Sequence, residues 1–258
     1  MAVFNFNRAE VIDQNFSEFV KSGKFPEARS QTNLGQAGLF KDDLVDLFES
    51  QVMSRHLDIR ARILKNDNQC FYTIGSSGHE GNAGYAKVFG IKDMAFLQYR
   101  SGAFMIQRAK HLGGSTPLYD TMLSFVASKD DPIAGGRHKV WGSLPLNVPP
   151  QTSTIASHLP KAVGAALSIG RARDMQLKDA VLDPSSVVLC SFGDASSNHS
   201  TAVGAINAAC WTSYQNVNLP LVFVCEDNQI GISVPTPNAW IENNYSNRPG
   251  LKYIYCDG

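Results

Sequence analysis

Two residues that carry oxygen donors stand at the ends of two apolar runs. Asp194 follows "VVLCSFG" (187–193), and Asn228 closes "LPLVFVCEDN" (219–228). A carboxylate oxygen and an amide oxygen suit Mg²⁺, which takes hard oxygen ligands in an octahedron and usually completes the set with water and substrate phosphates. "ASSNHS" (195–200) follows Asp194 and leads into a helical pattern near Ser200. The free N–H groups and positive dipole end of a helix start favour a phosphate. Gly193 allows close approach of backbone. These residue types point to a metal–diphosphate site. The plainer reading makes Asp194 a helix cap and Asn228 a turn-former before Gly231.

The two residues are 34 positions apart, so the fold must join them. The run from Val187 to Phe192 is rich in β-branched residues and bounded by Pro184 and Gly193, which reads as a strand buried on both faces. A helix over about 200–211 and a second buried strand (219–228) complete a βαβ unit, whose crossover is expected to be right-handed. Parallel neighbours end at one sheet edge. Open α/β sheets bind ligands outside the carboxyl ends of their strands.

Further elements flank this unit. "MAFLQYR" (94–100) is another strand candidate, ending on Tyr99 and Arg100. Asp42 or Asp43 can cap a helix that carries Leu44, Leu47, Phe48, Val52, Leu57, Ile59 and Ile63 near the helical period. Helices are also expected over 117–127 and from Leu159 to Arg173. Residues 130–154 are rich in Gly and Pro and read largely as loop. Phe16, Phe19 and Val20 mark a short amphipathic helix within an N-terminal arm, residues 1–40; residues 41–258 read as one α/β domain with a parallel sheet flanked by helices.

Bulk properties exclude several classes. Hydrophobic residues make up 43% and charged residues 18%, as in a folded globular core. The formal net charge of +0 offers no field for nucleic acid or an anionic membrane. No apolar run nears the ~20 residues of a membrane span, and the N-terminus has no secretory pattern. Cys70, Cys190, Cys210, Cys225 and Cys256 form no CxxC pair. Scattered thiols fit a reducing compartment, so a cytoplasmic protein is expected.

"GDAS…EDNQIGIS" resembles the thiamine diphosphate motif, which opens with Gly-Asp-Gly and closes with Asn-Asn. "FLQYRSGAF" (96–104), "TSTIASHLPKAVGAALSIGRAR" (152–173), "VVLCSFGDASSNHS", "LPLVFVCEDNQIGISVPT" and "PGLKYIYCDG" occur in the order seen in α subunits of 2-oxo acid dehydrogenase complexes. The resemblance covers roughly residues 45–258. "QYR", "SHLPKAVGAA" and "ISVPT" bring it closer to the branched-chain type, while "CEDN" is nearer the pyruvate type.

The resemblance implies that the Asp194 carboxylate, the Asn228 side chain and the Ile230 carbonyl bind Mg²⁺. It gives Tyr99 and Arg100 the diphosphate, with Gly193, Ala195 and Ser196 beside it. Ser153 and the Ile155 backbone line the aminopyrimidine end. It implies oxidative decarboxylation of a 2-oxo acid with acyl transfer to a lipoyl group. It also implies an oligomer with a β-type dehydrogenase domain and a lipoyl-bearing acyltransferase as partners. Thr152, Thr154, Ser157 and His158 fall where branched-chain members hold a monovalent cation, for which a histidine is a poor ligand.

This chain departs from the pattern. Ala195 replaces a Gly, Asp227 replaces an Asn, and Glu226 stands where branched-chain members have Arg. "WTSYQNVN" (211–218) reads as a surface insertion. The family's catalytic His and the β-subunit Glu are expected outside this chain, which reads as an N-terminal fragment. Two rivals stand beside this reading: a transketolase-like or decarboxylase-type thiamine enzyme, and an assembly domain with a decayed cofactor site. Among other residues, His79 and Glu80 are read as capping groups, His138 as a loop residue, and His199 as an exposed helix-start residue. Trp141 and Phe104 are read as packing, and His111 as structural.

Overall fold

The computed structural model describes residues 8–25, 27, 33–70, 75–76, 78–137, 141–232 and 234–256. His138, which the sequence places in a loop, lies outside the described residues. The chain folds as a mixed α/β unit around a parallel sheet of β1 (Ala95–Phe96), β4 (Val188–Gly193) and β5 (Leu221–Glu226), in the order β1-β4-β5. β4 is the centre. Its first five residues are buried, which is why an unbroken apolar run forms it. The expected second buried strand is instead an edge strand, half-exposed along most of its length, because only β4 pairs with it among the described residues.

Helices α7 (Leu159–Asp174) and α8 (Ser200–Tyr214) pack against each other and on this sheet. Ala162, Ala166, Ile169, Ala202, Ala205 and Ile206 join Val188, Cys190 and Phe192 in one core. A second core forms on Leu189 with Ala95, Leu97, Phe104, Trp141 and Val148. Its helix α5 (Gly102–Ala109) is buried at every residue. Phe104 and Trp141 are packing residues there, as their types imply.

α3 (Lys41–Asn66) begins as its acidic start predicts: the Asp43 carboxylate accepts the Phe40 N–H at 2.8 Å. It meets α5 through polar groups. The Ser50 hydroxyl donates to Gln107, whose amide donates to Asp46, and Lys110 pairs with Asp46 and Glu49. Before α3 come α1 (Arg8–Ser22), which contacts it, and a short α2 (Leu34–Ala37) capped by Asn33. The helix expected over 117–127 is α6 (Pro117–Phe125). α4 (Ala83–Val88) and α9 (Trp240–Tyr245) complete the helices of the described residues.

Two expectations change. The Gly- and Pro-rich stretch 130–154 is not all loop: β2 (Trp141–Ser143) and β3 (Val148–Gln151) pair antiparallel within it. The buried Arg108 secures that hairpin, donating to the carbonyls of Leu146, Ile91 and Asp93. Residues 211–218 lie at the surface as expected, but the stretch begins as helix. Trp211–Tyr214 completes α8; α7 abuts the turn after it, and Gly250 abuts α8 itself. A Cβ on Gly170 would lie 1.9 Å from the Asn218 carbonyl oxygen, and one on Gly250 would lie 2.1 Å from that of Cys210. Gly250 also has φ +77, which only glycine adopts freely. Gly170→Ala is therefore expected to push the 215–218 turn off α7 and cost about 1–3 kcal/mol, read as a lower midpoint of urea unfolding. An unchanged midpoint would show that the turn yields without cost.

Candidate functional site

β4 and β5 are parallel with Gly193 level with Glu226. One step beyond the strands, Asp194 therefore stands level with Asp227, and Asn228 is one residue further. The plain spacing argument pairs Asp194 with Asn228; the register makes Asp227 the nearer partner. The Asp194 and Asp227 carboxyls lie close enough to interact. Burial raises the Asp227 carboxyl above its usual range; the Gln229 amide lowers it, and Asp194 raises it again.

Asp194 does not act as a cap. It opens a 3₁₀ turn, Asp194–Asn198, and it is 2% exposed. The Thr236 hydroxyl donates to its carboxylate from the loop beyond β5. α8 begins only at Ser200, and His199 Nδ1 accepts the Thr201 N–H at 3.2 Å. His199 is thus the exposed capping residue its position implies. Thr236 was not singled out from sequence; its only signal is its place in "ISVPT".

The loop after β5 is shaped by its own side chains. Asp227 Oδ1 accepts the Gln229 N–H at 3.1 Å, and Asn228 Oδ1 accepts the Ile230 N–H at 3.0 Å. Two successive turns of this kind, with Gln229 at φ 60, set the path. Ile230 bridges to Pro235, and a Cβ on Gly231 would touch Val234 and Ala195. Ala195, the residue in place of the motif's second glycine, is accommodated because Gly231 faces it.

β1 ends at the same edge, and Gln98, Tyr99 and Arg100 follow it. Tyr99, Ile155 and Ser196 line one cleft with Gln98, Thr152, Thr154 and His158. Arg100 lies against the Tyr99 ring, 5.1 Å from its centroid, and donates to the Gly75 carbonyl. Trp141 Nε1 donates to the Tyr99 carbonyl at 3.0 Å, so the hairpin helps to hold this segment. Ser153 is half-buried in the same 151–158 loop; it and Arg100 are not among the cleft-lining residues.

His158 is buried and serves the scaffold. Its Nε2 meets the Ser191 carbonyl at 2.7 Å, and its Nδ1 meets the Gln151 amide at 3.1 Å. Both ring nitrogens are engaged, and burial lowers its pKa, with the Ser191 carbonyl opposing. Thr152 and Ser157 bond within their own loop, to the Thr154 amide and carbonyl.

A further cluster lies behind Asn228. Glu80 accepts the Gly78 N–H and pairs with Arg55, in keeping with a helix-start role. The His79 ring does not cap. Its Nδ1 meets Glu226 and its Nε2 lies 3.1 Å from Asn228 Nδ2, with the Gln98 amide 3.2 Å from Nδ1. The Tyr85 hydroxyl donates to the other Glu226 oxygen. Burial, then the Glu226 charge, raises Tyr85 well above its ordinary value. Glu226, which departs from the motif, is thus enclosed by a histidine and a tyrosine.

Together these features bring oxygen-bearing side chains from two strand ends to the carboxyl edge of a parallel α/β sheet. The model of the dehydrogenase E1 component family matches residues 49–255, and the chain belongs to that family. Among similar proteins, a 2-oxoisovalerate dehydrogenase subunit alpha of Bacillus subtilis (strain 168) is 29% identical over 225 residues, covering 84% of this chain and 61% of that protein. The mitochondrial 2-oxoisovalerate dehydrogenase subunit alpha of Mus musculus is 23% identical over 223 residues, covering 84% and 46%. The mitochondrial subunit alpha 2 of Arabidopsis thaliana is 30% identical over 192 residues, covering 73% and 36%. The chain spans about three-fifths or less of the length of these relatives. No helix among the described residues is long and apolar enough to cross a membrane.

Proposed function

We propose that residues 41–258 form the α-type cofactor-binding part of a thiamine-diphosphate-dependent 2-oxo acid dehydrogenase that acts on a branched-chain substrate, with residues 1–40 an arm. The observation that carries this reading is the junction of Asp194, Asp227 and Asn228 at the sheet's carboxyl edge, beside the cleft of Tyr99, Ile155 and Ser196.

The donor set fits the cofactor. Two carboxylates pressed together are a poor arrangement by themselves and a good one around a hard dication. Asp194, the Asn228 amide oxygen and the Ile230 carbonyl would hold Mg²⁺, with Asp227 as a further oxygen donor. Tyr99 and Arg100 would hold the diphosphate, which Gly193, Ala195 and Ser196 would flank; Ser153 and Ile155 would line the aminopyrimidine end. Thiamine diphosphate supplies, when bound, the carbon nucleophile that lets a 2-oxo acid lose CO₂.

The chain's own groups do the positioning. Thr236 orients Asp194, and the Gly75 carbonyl and the Tyr99 ring orient the Arg100 fork. Such a fork carries five N–H donors, so donors remain for phosphate oxygens. A β-type dehydrogenase domain would close the cleft, and a lipoyl-bearing acyltransferase would take the acyl group. The reducing chemistry of the free thiols fits a cytoplasmic setting.

The test is thermal stability of the complete protein, with its β-type partner, in the presence and absence of thiamine diphosphate and Mg²⁺. Ligand at a hundred times its Kd adds about 2.7 kcal/mol, so a rise that needs both components is expected. No rise would favour an assembly role without cofactor.

A further inference from the structure

Resting on the dication site proposed above, we infer that His79 is a positioning residue for it, holding the Asn228 side chain from behind and itself held by Glu226 and Tyr85. The Ile230 N–H donates to Asn228 Oδ1, so the amide oxygen faces Ile230 and the amide nitrogen faces His79. An amide N–H needs an acceptor, and His79 Nε2 accepts only if its proton sits on Nδ1. Glu226 takes that Nδ1 proton's hydrogen bond. Tyr85 donates to the other Glu226 oxygen and fixes the carboxylate. The hydroxyl of Tyr85, the Nδ1–H of His79 and one amide N–H of Asn228 then each meet an acceptor, in one direction, with the Gln98 amide nitrogen, 3.2 Å from Nδ1, outside that chain.

The result is a set orientation for an otherwise exposed side chain. An amide oxygen has two lone pairs. Ile230 takes one, and the other stays available to a cation. His79 is 7% exposed and Glu226 13%, so water does not compete freely for either group. Glu226 therefore serves the site indirectly, through His79, and its charge is taken up by groups behind the ligand rather than presented to a diphosphate.

Partners that orient metal ligands typically cost 10–100-fold in metal affinity when removed. The experiment measures Mn²⁺ binding to the complete protein by electron paramagnetic resonance, with Mn²⁺ alone and with thiamine diphosphate added. Four variants are compared: Asp194→Ala, His79→Ala, His79→Gln and Glu226→Gln. Expected are loss of the site in Asp194→Ala and a rise of about tenfold or more in the Mn²⁺ Kd in His79→Ala. His79→Gln can place an amide oxygen near the position of Nε2 and is expected to recover most of the affinity. A purely structural role for His79 would lower the melting temperature in His79→Ala and leave Mn²⁺ affinity untouched, and that result overturns the inference. Should His79→Ala not fold, a wild-type Kd in Glu226→Gln together with loss in His79→Gln overturns it in the same way. Wild-type Mn²⁺ binding in Asp194→Ala would instead overturn the dication site itself.

Discussion

Asp194→Ala in the complete protein is expected to abolish Mg²⁺-dependent binding of thiamine diphosphate while the fold remains. The side chain is buried, accepts from the Thr236 hydroxyl and lies beside the Asp227 carboxyl. Neither contact supports a core helix or strand. Removing one of two adjacent acids also removes their mutual repulsion, so the apoprotein is expected to melt no lower than wild type by more than a few degrees. The cofactor-dependent rise in melting temperature should vanish. Calorimetric titration with Mg²⁺ and thiamine diphosphate reads the binding directly. Retained binding would mean that Asp227 and Asn228 suffice, and the assignment of Asp194 would fall.

The second large effect lies away from the site. Arg108→Met is expected to destabilise the chain by at least about 3 kcal/mol, since hydrogen bonds to a charged group contribute about 1.5–3 kcal/mol each. Arg108 is 0% exposed, and burial lowers its pKa to about 10, so it stays charged at neutral pH. Its guanidinium donates to three backbone carbonyls from two segments: Leu146 between β2 and β3, and Ile91 and Asp93 before β1. Methionine fills much of the volume and satisfies none of these acceptors. With urea m-values of about 1–3 kcal/mol/M, the midpoint should fall by about 1 M or more. A fall below a third of that would show that water reaches the carbonyls. Because this hairpin carries Trp141, which bonds the Tyr99 carbonyl, the variant should also loosen the cleft lined by Tyr99.

Much of this architecture is legible in the chain's local patterns, and the exceptions have physical causes. β4 stands out because a fully buried strand needs an unbroken apolar run, and Pro184 and Gly193 bound it. α7 and α8 announce themselves through small apolar residues at helical spacing. The β2–β3 hairpin is hidden because "VPPQ" has two prolines and no alternation. Asp194 is legible as a candidate site residue, while Asp227 as its nearest neighbour depends on the strand register, which spacing alone leaves open. The His79–Glu226–Tyr85 cluster joins residues more than 140 positions apart, and each looks ordinary in its own stretch. Glu226 reads as a defect in the motif until its two partners are seen. Arg108 is invisible for a related reason: "GAFMIQRA" looks amphipathic, yet all of it is buried.

Among the described residues β5 pairs with β4 on one side only, and its last residue, Glu226, leads straight into Asp227 and Asn228. The outer main-chain groups of such a strand are free to accept another strand. Whatever pairs there stiffens the peptide that ends in the proposed cation ligands. Restraint at the edge and ion binding at its tip then draw on the same loss of freedom, and two events linked in that way favour each other by an equal factor. Docking a neighbour along this edge and loading the ion are, in thermodynamic terms, reciprocal acts.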